Sequence, residues 1–212
     1  MKKTLLWTLL ASFAASAQVR EKGAIEVSPF VGVSSANYYG DSDLLEYNDA
    51  VFAPTFGVNA NFYLNNRWSL RTGLEYQTMG TSIEYNNLYS NMNTEEKLNF
   101  VALPIHASYH FGSTRKWYLN FGPTLDFLTS ASSNGEDIKE GIKSVQFGLG
   151  IGIGYKFYIN EHFSIGIDHQ EYISFVNNLS LINKGGPFIG NIFGSFSVKA
   201  VFTLGSKKST EE

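Results

Sequence analysis

Residues 68 to 78 read WSLRTGLEYQT, and their apolar and polar members alternate. Trp68, Leu70, Leu74 and Tyr76, with Thr72 among them, share one parity. Ser69, Arg71, Gly73, Glu75 and Gln77 share the other. Successive side chains of a strand point to opposite faces, so this pattern predicts a strand with one apolar and one charged face. The same alternation recurs eight times, over 24–34, 52–63, 68–79, 97–111, 117–128, 144–158, 163–176 and 191–204. Most of these runs exceed an ordinary strand, and about ten residues is what a tilted strand needs to cross a bilayer.

The connections alternate as well. LNNR (64–67), GSTRK (112–116) and INEH (159–162) are short, whereas 35–51, 80–96, 129–143 and 177–190 hold 17, 17, 15 and 14 residues. Short turns at one end and long loops at the other predict an eight-stranded antiparallel up-and-down transmembrane β-barrel, all-β, with both termini on the turn side.

Size decides which face points out. The apolar parity of the eight strands holds about 44 residues, many of them Phe, Ile and Leu. An eight-stranded ring has an interior just wide enough for side chains to fill, and a parallel barrel of that size packs on the order of a dozen. The apolar face therefore looks outward, into lipid. The other parity carries Glu26, Arg71, Glu75, His106, Asp126, Lys156 and Lys199. These are read as a lumenal polar network of structural role, because buried charges need partners of opposite sign. Phe62, Trp68, Phe111, Trp117, Phe157, Phe163 and Phe202 fall beside the short turns, as a membrane-interface girdle would.

MKKTLLWTLLASFAASAQ opens the chain with two lysines, a short apolar run and a small-x-small site. It reads as a signal peptide over 1–17, too short for a spanning helix. The barrel domain is then 18–204, and 205–212 is a polar tail. This arrangement implies an outer-membrane location with periplasmic termini. The net charge of −3 and the lack of a basic stripe argue against nucleic acid. There are no cysteines, so disulfides, thiol nucleophiles and Cys-type zinc sites are excluded.

Along its length the chain is similar to the PorT-like family of small outer-membrane β-barrels of Bacteroidetes. The similarity is carried by the Ala17-Gln18 junction, LPIHASYHFG at 103–112, WYLNFGPTLDFL at 117–128 and FGLGIGIGYKF at 147–157. It implies outer-membrane lipid as the surroundings, the barrel-assembly machinery during insertion, and an envelope protein as partner; one member type is tied to the type IX secretion system. Many outer-membrane barrels end on an aromatic residue, whereas here Phe202 and Leu204 are followed by GSKKSTEE.

The remaining motifs give little chemistry. GLGIGIG at 148–154 lacks the third glycine of a dinucleotide fingerprint, since position 153 is Ile, and lacks the lysine of a phosphate loop. Its glycines read as the lumenal side of a strand, making room for Arg71, Tyr118 or His106. His106 and His110 share the inward parity but stand too far apart to hold one metal. His169 falls on the lipid parity, which a bulge or the end of the membrane zone would explain. Asp41, Asp43, Glu46 and Asp49 form an acidic loop without EF-hand spacing. Loop 80–96, rich in Tyr, Asn and Ser, suits surface recognition. No serine is spaced as a nucleophile. The expected function is non-catalytic: a scaffold or accessory subunit of an envelope assembly, without cofactor or metal. A narrow channel and a barrel enzyme acting on lipid or peptide at the outer rim are the alternatives.

Overall fold

A computed structural model describes residues 19–41, 48–86, 91–178 and 188–204. The signal segment, the cleavage site, Asp43, Glu46 and the tail 205–212 lie outside them. Eight long strands make the fold: β1 Ile25–Gly40, β2 Val51–Tyr63, β3 Trp68–Asn86, β4 Asn91–Phe111, β5 Trp117–Ser133, β6 Val145–Tyr158, β7 Phe163–Ser174 and β8 Ile189–Leu204. Each pairs antiparallel with its sequence neighbours, and β1 pairs with β8 to close the ring. Two-residue ladders at Asn48–Asp49 and Glu136–Asp137 edge β3 and β5.

The short turns are built by their own side chains. In LNNR, Asn65 Oδ1 accepts from the amides of Arg67 and Trp68 at 2.8 and 2.9 Å. In INEH, Asn160 Oδ1 accepts from His162 and Phe163, both at 2.9 Å. Each Asx turn brings the chain straight back into the next strand.

The register fixes the ring's shape. Starting from Phe111 on β4, successive partners are Trp117, Tyr155, Ile167, Val198, Val31, Phe56, Tyr76 and finally Val101, again on β4. The shear is therefore 111 − 101 = 10. With the usual strand spacing and rise, that shear tilts the strands by about 40° and gives an axial rise of about 2.5 Å per residue.

The same geometry sets heights on the outer wall. Phe62, Trp68, Phe111, Trp117, Phe157, Phe163 and Phe202 all fall within roughly 5 Å of one level. Ring contacts run through this belt: Trp68 to Tyr109 at 4.8 Å, Trp117 to Tyr155 at 4.8 Å, and Phe163 to Phe202 at 5.4 Å. A second set of outward rings, Phe52, Phe127, Phe147 and Phe175, stands about 25 Å higher, the height of the apolar band on an outer-membrane barrel. Between the belts the wall is mostly Val, Ile, Leu and Phe.

Beyond the upper belt the strands continue, contrary to the sequence reading. β1 runs to Gly40, β3 to Asn86 and β5 to Ser133, and β4 starts at Asn91, so much of 35–51, 80–96 and 129–143 is strand. In the Tyr- and Asn-rich stretch, residues 80–86 and 91–96 are paired strands instead of a long loop. The reason is a reversal of polarity. Above the belt Ala36, Tyr38, Met79, Leu98, Phe100, Leu128 and Ala131 point inward and form one buried cluster with Ile142, Tyr172 and Phe193. Asn99 pairs with Ser130 but Phe100 pairs with Leu128, so Thr129 is a bulge. The bulge lets Leu128 and Ala131 both face inward. Gly80, at φ 137°, turns β3 at the same level with a backbone that L residues rarely adopt.

This cluster makes a testable distinction. Phe100 has no exposed surface, whereas Phe127 is 44% exposed on the outer wall. Phe100→Ala is expected to lower unfolding free energy by about 3–5 kcal/mol, and Phe127→Ala by clearly less, in urea titrations of vesicle-embedded protein followed by tryptophan fluorescence.

Candidate functional site

The ring interior between the belts holds the charges. Near the turn end, Arg20, from the segment before β1, folds under the barrel. Its Nε lies 3.0 Å from Glu26 Oε1, and its Nη1 donates to the Glu161 carbonyl at 3.2 Å. Glu26 Oε2 accepts from the Tyr63 hydroxyl at 3.0 Å and contacts Lys156 Nζ, which donates to Tyr63 at 2.8 Å. Tyr63 stacks on His110 at 4.9 Å, and His110 Nε2 is 2.9 Å from Ser69 Oγ.

A second cluster sits one layer higher. Asp168 pairs with Lys199 and with Arg71 Nη1, the latter at 3.3 Å, and accepts from the Tyr118 hydroxyl. Arg71 Nη2 reaches Glu75 Oε1 at 3.2 Å, and Gln77 donates to Glu75 Oε2 at 3.0 Å. In the amide orientation that its neighbours require, Asn59 donates to Glu75 and accepts from Arg71, both at 2.9 Å. Tyr118 joins the two clusters, because the ammonium groups of Lys156 and Lys199 lie 5.2 and 5.6 Å from its ring centre. Each cation is thus held by carboxylates and ring faces, the compensation that a buried charge requires.

Of the seven residues named from the sequence, Glu26, Arg71, Glu75, Lys156 and Lys199 are brought into these two clusters. His106 and Asp126 lie inside the ring but outside the ion pairs. His106 Nε2 is 3.0 Å from Thr124 Oγ1. Asp126, fully buried, lies one layer up against Tyr172 and has no salt bridge among the described residues. Asp126 stands above the cationic side chains, whereas His106 lies directly across from Arg71 in the β3–β4 register, beside a charge of the sign it would itself carry.

Two partners were left out of the network read from the sequence. Asp168 is the anionic centre of the upper cluster, and its parity with Ser164 and Gly166 on β7 was the available signal. Arg20 precedes the first alternating run, so no periodicity marked it.

Gly148, Gly150, Gly152 and Gly154 of β6 all face this interior. The side chains nearest them are Tyr172, His106, Gln170, and Asp168 with Tyr118, whereas Arg71 is not among them. A Cβ at Gly150 would lie 2.8 Å from His106 Cε1, so any side chain there requires the His106 ring to shift.

His169 is on the outer wall. Pairing of β7 with both neighbours runs through it without a register break, so no bulge re-aims it. In the acidic loop only Asp41 and Asp49 are described. Among the described residues no three His, Asp or Glu side chains gather as a metal site requires.

A closed eight-stranded ring, apolar outside over a bilayer's thickness and ion-paired inside, is a transmembrane β-barrel of the outer-membrane class. The chain belongs to the outer membrane protein beta-barrel domain family, whose model matches residues 15–180. Among solved structures, the outer membrane protein OprG from Pseudomonas aeruginosa is similar over 88% of this chain and 98% of its own, at 14% identity and a TM-score of 0.52. Neisserial surface protein A aligns over 84% of this chain and 98% of its own, at 17% identity and a TM-score of 0.48. At such identities the likeness to OprG is one of fold. No curated protein matches the chain in sequence.

Asp168→Ala leaves Arg71 and Lys199 without their shared carboxylate. It is expected to cost about 3–5 kcal/mol in the same unfolding assay, with partial recovery when Lys199→Met is added. Gly150→Leu should abolish heat-modifiable gel migration while Ile151→Leu, which changes only the lipid side, should leave it intact.

Proposed function

We propose that this protein is a sealed, non-catalytic outer-membrane barrel that serves as a scaffold or accessory subunit of an envelope assembly. The observation that carries this reading is the filled interior. From the turn end upward it holds the Arg20–Glu26–Lys156 cluster, then the Arg71–Glu75–Asp168–Lys199 cluster, then the apolar plug around Phe100. A solute crossing the ring would have to break buried ion pairs and then open a packed core, so conduction is disfavoured at two successive levels. What remains available to partners is the loop end, carried on long strands, and the outer wall.

In this reading the short turns and both termini face the periplasm and the strand hairpins face outward. The lysine-led opening segment directs export, and the barrel-assembly machinery inserts the chain. Membership of the PorT-like group of Bacteroidetes is part of the same proposal, supported by the quoted strand motifs.

The test is electrical. Purified protein in planar bilayers should give no stable conductance steps. The triple variant Phe100→Ala, Leu98→Ala, Asp168→Asn should admit intermittent currents, because it opens both levels. Reproducible unitary conductance from the wild-type protein, altered by neutralising Lys156 or Lys199, would replace the scaffold with a narrow channel. Maleimide labelling of intact cells carrying Ser132→Cys at the loop end, but not Ser113→Cys at the turn end, checks the orientation.

A further inference from the structure

Between the two belts, the described outward side chains are apolar or uncharged with two exceptions, His169 and Glu171 of β7. They stand six and eight residues above Phe163 of the lower belt, about 15 and 20 Å up a band of about 25 Å. Ionisable side chains at that depth are rare and mark function. His169 Nδ1 lies 3.1 Å from the Ser195 carbonyl oxygen, which only accepts, so Nδ1 carries a proton. Its Nε2 lies 2.8 Å from Glu171 Oε1. Both imidazole nitrogens are thereby used. Glu171 Oε2 is left as an acceptor with no partner among the described residues. His169 borders an apolar groove of about 650 Å³ with Ile153, Ile167, Val33 and Phe196.

The opposite wall carries the complement. β3 is four strands from β7 in either direction around the ring. Tyr76 faces outward there, stacked on Phe56 at 4.9 Å, and its hydroxyl has no hydrogen-bond partner among the described residues. Its height follows from the register. Four strand steps from Ile167 to Tyr76 are half of the shear of 10, equivalent to five residues of rise, and Glu171 is four residues above Ile167. The Tyr76 hydroxyl and the Glu171 carboxylate therefore differ in height by one residue, about 2.5 Å.

We propose that a second copy of this chain docks its β3 wall on the β7 wall, with Tyr76 of one copy donating to Glu171 of the next. Copies inserted in the same direction share their heights, so the two groups meet. Lipid offers neither group a partner, and lateral association in a bilayer is driven by packing and hydrogen bonds because apolar contact alone gains nothing over acyl chains. The two patches differ and lie on opposite sides, so the contact is heterologous and extends into rows instead of closing as a dimer. The inference rests on the membrane-spanning scaffold reading and gives that scaffold a lattice.

Full-length protein labelled at Ser113→Cys, in an exposed turn of a chain without cysteines, is reconstituted at low density in supported bilayers, and photobleaching steps are counted. Wild-type wall residues should give spots of two, three and more steps. Tyr76→Phe alone, or Glu171→Leu alone, should reduce multi-step spots roughly three- to tenfold. Mixed one to one, the two variants should recover two-step spots and nothing longer, since each supplies the wall the other lacks. Single-step spots from the wild type, multi-step spots unchanged in Tyr76→Phe, or a mixture that stays single-step would each overturn the proposal. Heat-modifiable migration of every variant separates a failed contact from a failed barrel.

Discussion

Hydrocarbon has no hydrogen bonds to offer, and that single deficit organises this protein. A strand crossing it must spend every backbone amide and carbonyl on another strand, and the only sheet without unpaired edges is a closed one. The β1–β8 pairing, from Ile25 with Leu204 to Gly40 with Ile189, completes that closure over the full length of both strands. Once the ring is closed at eight strands with a shear of 10, its bore is narrow. Charges placed inside must then find one another. The Glu26 and Asp168 clusters, bridged by Tyr118, are the result.

The same solvent argument explains the change at the upper belt. Below it the outside is apolar and the inside is polar. Above it the outside meets water, and the inside becomes an ordinary packed core of Met79, Leu98 and Phe100. One strand carries both patterns without changing the parity of its inward residues on β4, where Leu98, Phe100, His106 and His110 all face in. On β5 the Thr129 bulge makes the adjustment.

This reversal also marks what could be read from the sequence. The ring, its strand number and its inward charges were legible because lipid imposes a strong two-residue alternation between the belts. Arg71, Glu75, Lys156 and Lys199 stand out beside Leu70, Leu74, Phe157 and Val198. Above the belt the alternation weakens, since Asn, Ser and Thr face water while mixed residues face the core, and strand was mistaken for loop. Ion-pair partners were only partly legible, because which carboxylate meets which cation depends on register across the bore. Asp168 meets Arg71 from nearly a hundred positions away in the chain. Tyr76 and Glu171 could not be related at all without the shear.

The strands of the β3–β4 hairpin extend ten residues past Tyr76 and Val101. At about 2.5 Å per residue they rise roughly 20 Å above the upper belt. They do so as paired sheet rising from the packed core at Met79, Leu98 and Phe100, a post and not a tether. The last described pair, Asn86 with Asn91, is thereby held at a set stand-off from the bilayer. In the scaffold reading proposed above, a partner would meet its contact clear of the headgroups, at one height.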